Sequence, residues 1–222
     1  MTSFQRARSE EQRAERRRAI LSTAATMLAE LPVAQLSLNE LSRRVGLAKS
    51  NVLNYFDSRE AVLLELLDVE TRDWIDQLDQ ELTATVDPSA PVGDRAGQLA
   101  DAIVATLESR PMLCALTSAQ AAVLEHNISV EIATEFKRSS IANYGLLIQH
   151  VNARVPELGE DGAARFIAAA VMLTGVLWTH SHPSAAILAA YEADPAIANF
   201  RITFGPALRE ILQTVLTGVL PR

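Results

Sequence analysis

Ser37-Leu38-Asn39-Glu40-Leu41-Ser42-Arg43-Arg44-Val45-Gly46-Leu47-Ala48-Lys49-Ser50-Asn51-Val52-Leu53-Asn54-Tyr55-Phe56 is the stretch from which the fold can be read. Its first four residues have the capping-box form. The Ser37 hydroxyl can accept from the backbone N–H of Glu40, and the Glu40 side chain can reach back to the N–H of Ser37. The helix so opened carries Leu38, Leu41 and Val45 inward, and Gly46 offers the left-handed conformation that ends it. A turn of about three residues leads to a short helix from about Lys49 to Phe56, which together make a helix-turn-helix. Val45, Leu47, Val52 and Phe56 can be buried, leaving Lys49, Ser50, Asn51, Asn54 and Tyr55 outward. Outward Asn and Ser can pair with base edges, and Lys or Tyr can reach phosphate, so the pattern points to double-stranded DNA. A plain helical hairpin with a solvated polar face has the same residue pattern.

Working outward, apolar residues recur at spacings of three and four, and no segment sustains a period of two. The chain therefore reads as all-α. A first helix from about Ser9 to Glu30 carries the stripe Ile20, Leu21, Ala24, Met27 and Leu28, and Pro32 stops it. Asp57-Ser58-Arg59-Glu60 repeats the capping pattern and opens a long helix through Leu63, Leu66, Leu67, Trp74, Ile75, Leu78 and Leu82. The two prolines in Val86-Asp87-Pro88-Ser89-Ala90-Pro91 end it. Further helices are expected near Asp94–Glu108, Pro111–Val123, Ser129–Val155, Asp161–His180 and Arg201–Leu220, with a short one near Ala185–Tyr191. The organisation expected is an N-terminal three-helix DNA-binding domain over 1–60, with its motif at 37–56, and a larger helical bundle over 61–222.

Composition is consistent with this division. The 222 residues are 49% hydrophobic and carry a net charge of −7, with an asymmetry between the ends. Residues 1–60 hold 10 Lys and Arg against 7 Asp and Glu, whereas residues 61–222 hold 10 against 20. A basic end on an acidic body suits a DNA-binding module on a body that does not bind DNA. Arg6, Arg8, Arg13, Arg16, Arg17 and Arg18 could equally be solvating a frayed helix. The single cysteine, Cys114, cannot form an intramolecular disulfide, and the Arg-rich N-terminus has no apolar stretch fit for a signal peptide. The longest apolar run, Phe166 to Trp178, has 13 residues and reads as a buried helix rather than a membrane span. A cytoplasmic protein is expected.

From these same residues a resemblance emerges. Gly46-Leu47-Ala48-Lys49-Ser50-Asn51-Val52-Leu53-Asn54-Tyr55-Phe56-Asp57-Ser58-Arg59-Glu60-Ala61 resembles the recognition segment of TetR-family transcriptional regulators. Arg18-Ala19-Ile20-Leu21-Ser22-Thr23-Ala24-Ala25 resembles that family's first-helix stretch, and Ser37 to Gly46 its second. The match covers about residues 13–65 in fixed register; beyond it the chain resembles the family in being all-helical and of suitable length. The resemblance implies a phosphate contact for Ser37 and for Arg59, and places Lys49, Ser50, Asn51, Asn54 and Tyr55 on the recognition helix. Arg44 is a further backbone candidate, and Arg16, Arg17 and Arg18 could reach an adjacent groove or form a flexible arm with no target. Leu53 stands where relatives often carry a tyrosine that touches the DNA backbone; leucine cannot make that hydrogen bond and is expected to pack. Asn51 brings an amide able to read adenine.

The resemblance also implies a homodimer, a palindromic operator, repression, and a small-molecule effector bound in the body. Physical need supports the dimer, because two recognition helices about 34–36 Å apart can occupy successive major grooves. Phe166–Trp178 and Ile202–Leu220 are the candidate interface helices, unless both belong to the protomer's core. Cys114, Thr117, Gln120, Asn143, Tyr144, Gln149 and Trp178 lie on otherwise apolar helices and are the effector-site candidates. No Cys/His cluster has zinc spacing, and there is no HExxH, no phosphate loop and no nucleophile elbow. His180 and His182 fit a helix C-terminus better than a metal. No cofactor, metal or enzymatic activity is expected. The rival functions are a helical protein-binding adaptor and a small-molecule-binding protein with an incidental helix-turn-helix.

Overall fold

A computed structural model describes residues 3–221, except the side chains of residues 3–9; the Arg6 and Arg8 side chains raised above lie outside the described residues. Eleven α-helices are found among the described residues, and no strand. The first unit is formed by Met1–Val69 and Ala119–Arg138, the second by Glu70–Ser118 and Ser139–Arg222.

In the first unit, α1 (Ser3–Glu30) is longer than expected, since its helical conformation continues through the arginine-rich segment. Ile20, Ala24 and Met27, spaced as one face of a helix, are fully buried. The Val33–Gln35 3-10 turn leads to α2 (Leu38–Val45). Ser37 caps α2 by accepting from Glu40 N–H at 3.2 Å. The reciprocal half of the capping box is replaced: the Glu40 carboxylate instead takes bonds from Arg43 and Arg44. Two guanidiniums within one helical turn outbid a neutral N–H for a carboxylate. Gly46 ends α2 with φ +75°, and Leu47 N–H returns to the Ser42 carbonyl at 3.0 Å. Next comes α3 (Lys49–Leu53), shorter than expected because Asn54 and Tyr55 form a turn rather than a further helical turn. Ser58 caps α4 (Arg59–Thr85) through Ala61 N–H at 3.1 Å. Leu41, Val52, Phe56 and Val62 close the core of this unit.

In the second unit, α5 (Val92–Glu108), α8 (Gly159–Ser181) and α11 (Phe204–Val219) carry the core, with α11 packed against both others. Leu99, Ile103, Phe166, Ile167, Leu208 and Leu212 are almost fully enclosed. The other helices are α6 (Pro111–Ala119), α9 (Ala185–Ala193) and α10 (Pro195–Ala198), while α7 (Val130–Arg154) begins in the first unit and ends in the second. A single π-helical turn, Gln120–Leu124, follows α6 and belongs to the first unit, where an unbroken α-helix is expected from the sequence. Gly175 lets α8 approach α6 closely: a Cβ there would stand 3.3 Å from Thr117 O and Ser118 Cα.

The apolar run Phe166–Trp178 lies within a longer helical segment. Pro156–Ser181 has an apolar window of mean hydropathy 1.5 and is, by length and composition, able to cross a membrane. In the fold this segment has one face buried, through Phe166, Ile167, Ala170, Thr174 and Leu177, as a core helix does.

Candidate nucleic-acid interface

Lys49, Ser50, Asn51 and Asn54 are exposed, and Tyr55 is half-buried. Behind them, Val52 is fully buried and Phe56 nearly so. This inner pair fixes the short helix against α2, so the outward side chains start from a rigid base. Ser37 is exposed at the start of α2, where its hydroxyl oxygen already accepts from Glu40 N–H.

Leu53 corrects an expectation. It packs only in part: it is 40% exposed, on the same short helix as the polar row. Five residues make less than two turns, and Val52 and Phe56 already take the inward positions of this segment. An apolar group is thus presented next to Asn54, where it could meet a thymine methyl or a sugar.

The arginines of this unit divide by their partners. Arg44 bonds Glu30 at 2.6 Å and Glu40 at 3.0 Å, tying α2 to the end of α1. Between them, Arg43 and Arg44 hold the Glu40 carboxyl down at about 2, from an ordinary value of 4.5. Arg59 pairs with Glu60 at 3.0 Å and donates to Leu36 O at 3.2 Å and Ala34 O at 3.4 Å. Glu60 also accepts from Asn127 at 3.2 Å. Arg17 donates to Tyr55 O, pairs with Glu65 and lies 4.3 Å over the Phe56 ring. Arg13 donates to Asn54 O at 3.0 Å, with its guanidinium 5.4 Å from the Tyr55 ring centre. Arg13 and Arg16 share with Leu47, Asn51, Asn54 and Tyr55 a concavity of about 690 Å³. Arg13 was not singled out among the candidate contacts. Its three-residue spacing from Arg16 was a usable signal, because it puts both on one face of α1.

The effector candidates differ in burial and in their partners. Cys114 is fully buried, its thiol turned toward Leu107 O at 3.5 Å and pushed up to about 12 by burial. Asn143 is buried, and Thr117 and Tyr144 are half-buried. Trp178 is half-buried, stacked on His182 at 4.0 Å and edge-on to Phe204 at 5.2 Å. Gln149, by contrast, is exposed. Gln120 falls in the first unit, donating to Glu125 at 2.8 Å. No group of three or more potential metal ligands occurs among the described residues.

Two family descriptions match the chain: "Bacterial regulatory proteins, tetR family" over residues 20–66, and "Tetracyclin repressor-like, C-terminal domain" over residues 68–222. The HTH-type transcriptional regulator EthR of Mycobacterium tuberculosis is 43% identical over 54 residues, which span 24% of this chain and 25% of EthR. The match therefore covers about a quarter of that curated relative's length. Among solved structures, the fatty acid degradation regulator FadR from Bacillus halodurans shares the fold at a TM-score of 0.56 and 14% identity, over 93% of this chain and 97% of that one. A TetR transcriptional regulator from Rhodococcus sp. RHA1 does so at a TM-score of 0.53 and 14% identity, over 93% and 95%. An N-terminal helix-turn-helix followed by a helical domain that matches over its whole length makes this chain a member of the TetR family of transcriptional regulators.

Proposed function

We propose that this regulator binds a palindromic operator as a homodimer in the cytoplasm, represses from it, and is released by a small molecule held in the body. Residues 1–60 act as the DNA-binding domain and residues 61–222 as the effector and dimerisation domain. The observation that carries the DNA reading is the exposed polar row Lys49, Ser50, Asn51 and Asn54, backed by the buried Val52 and Phe56. Asn51 offers a bidentate amide to a base edge, Lys49 and Ser37 suit phosphate, and Tyr55 borders the row. Arg44 and Arg59 would have to exchange their internal carboxylate partners to hold a phosphate.

Support for the dimer comes from what the protomer leaves uncovered. In α8 Met172 is 69% exposed and Val176 55%, one helical turn apart on one face. The apolar helices α9 and α10 contribute no buried residue at all, and Phe200 just beyond them is 78% exposed. On α11 the residues Phe204, Leu208, Leu212 and Leu216 are consumed inside the protomer, leaving the half-buried Ile211 and Val215 at the flank. A second copy laid along 166–178, with 202–220 at its edge, would cover this surface. Cys114, Thr117, Asn143, Tyr144 and Trp178 are the polar groups of the second unit from which an effector site would draw; Gln120 and Gln149 complete the candidate set. The reaction is a coupling of two binding equilibria, with no chemistry and no cofactor.

Selection of bound duplexes from a random-sequence pool tests the reading. Enriched palindromes are expected, with half-sites about 10 base pairs apart or a multiple of that. Asn51→Ala should weaken the enriched duplex by about 10- to 100-fold for each half-site, the worth of one bidentate base contact. Unchanged affinity in Asn51→Ala, or a pool without enrichment, would overturn it.

A further inference from the structure

DNA binding by a single short helix needs cations beside it, and the fold has already committed several of those that the sequence supplies. Among the described residues 10–60, Arg17, Arg43, Arg44 and Arg59 all pair with carboxylates. Arg13, Arg16, Arg18 and Lys49 have no carboxylate partner there. Lys49 lies on α3 itself. Arg18 is two residues from Arg16 and so points to another side of α1, and it does not line the concavity beside α3. Arg13 and Arg16 do line it, facing Asn51, Asn54 and Tyr55. The concavity continues along α1 past Gln12, Glu15 and Ala19, so Glu15 is the one carboxylate on its lining.

We propose that Arg13 and Arg16 hold the sugar-phosphate backbone of the DNA strand that flanks the major groove entered by α3. This rests on the DNA reading above and assigns the phosphate charge to α1 instead of to Arg44 and Arg59. A groove open to solvent, with two guanidiniums on one wall and the base-reading amides on the other, matches a strand whose phosphates border the bases being read. Arg13 does two jobs. Its bond to the Asn54 carbonyl holds the end of the recognition segment, so it sets the register of Asn51 and Asn54 on the bases while meeting phosphate. Among the described residues Arg16 makes no side-chain hydrogen bond or ion pair, and it is exposed, which leaves its donors turned to solvent. Phosphate contacts carry no sequence information, so the contacts of both arginines with the backbone add affinity to every duplex alike, and only the bond of Arg13 to Asn54 bears on preference.

The test is the salt dependence of binding between roughly 50 and 200 mM KCl, where phosphate contacts show as the slope of log K against log salt. Two probes are used: the duplex enriched by the wild-type protein and the unselected random pool of the same length. Arg16→Gln should leave the melting temperature unchanged, weaken both probes, and flatten the slope by about 0.9 for each contact removed, hence about 2 in a dimer. Arg16→Lys should keep the slope. Arg13→Gln should flatten it too and additionally erode preference for the enriched duplex. Arg44→Gln should leave the slope at its wild-type value while lowering the melting temperature. A wild-type slope in Arg16→Gln, with Asn51→Ala still weakening the enriched duplex, overturns this inference and leaves the DNA reading standing. A flat slope in the wild-type protein itself would sink both.

Discussion

The two units tie down many long polar side chains alike, but differ on one outer face. In the body the long polar groups are tied inward. The largely buried Arg95 bonds Glu157 as well as the Ala90 and Arg154 carbonyls. Arg110 holds Gln77, Glu70 and the Asp73 carbonyl, and the buried Trp74 indole donates to Thr106 at 3.0 Å. In the head, the arginines behind the recognition helix are tied in the same manner, yet the side chains on its outer face have no such partners. A protein interior must satisfy its polar groups. Chemistry left unsatisfied at one rigid surface marks the place where a partner completes it.

The sharpest way to break this contrast is to compare truncation in the two regions. Phe166→Ala removes one of the largest fully buried side chains of the body and should cost about 3–5 kcal/mol in urea denaturation. Asn51→Ala should leave the same midpoint unchanged while weakening DNA. Equal sensitivity of both measurements to both variants would erase the distinction. Gly175→Val probes how tightly the body is packed. Its branched side chain meets the α6 backbone at Thr117 and Ser118, which cannot yield as a side-chain tip would. A loss of about 1–3 kcal/mol is expected in the same assay. In the head, Gly46→Ala has open space around it but must adopt φ +75°, at a cost of about 1 kcal/mol. The thermal transition of the head reports it.

The smallest effect is electrostatic. Glu40, paired with Arg43 and Arg44, has its carboxyl lowered to about 2. The stability it lends is present above the ordinary value of 4.5 and is lost as pH falls from there toward 2. Glu70 in the body shifts upward: burial raises it, and Arg110 offsets only part of that. Its folded form binds the proton more readily than the unfolded chain, so its contribution grows as pH falls through the folded value. Carboxyl carbon resonances followed by NMR between pH 2 and 7 should move in opposite senses from the ordinary range. Both lying below it would remove this difference between the units.

How much was legible differs in the same way. Ser37, Gly46 and Ser58 act through their own backbone neighbourhood, and each does in the fold what its place in the chain dictates. The inward Leu41, Val52 and Phe56 follow from spacing alone. Leu53 was misread because residue type was set above geometry: a helix of five residues has few inward positions, and two neighbours had filled them. Beyond the first four helices, periodicity located the helices, but the π turn at Gln120–Leu124 and the separate α10 leave no periodic trace.

By itself, then, the chain's sequence determined its helical class, the ends of α2 and the outward face of α3, because caps, glycine and helical period are local properties. The local pairs of Arg43 and Arg44 with Glu40 and of Arg59 with Glu60 lie within reach of the sequence, but only the tertiary structure decided the long-range ties of Arg17, Arg44 and Arg13. Arg44 meets Glu30 across 14 positions, Arg17 meets Glu65 across 48, and Arg13 meets Asn54 across 41. Charge pairing depends on distance in space, which the order of residues along a chain does not supply.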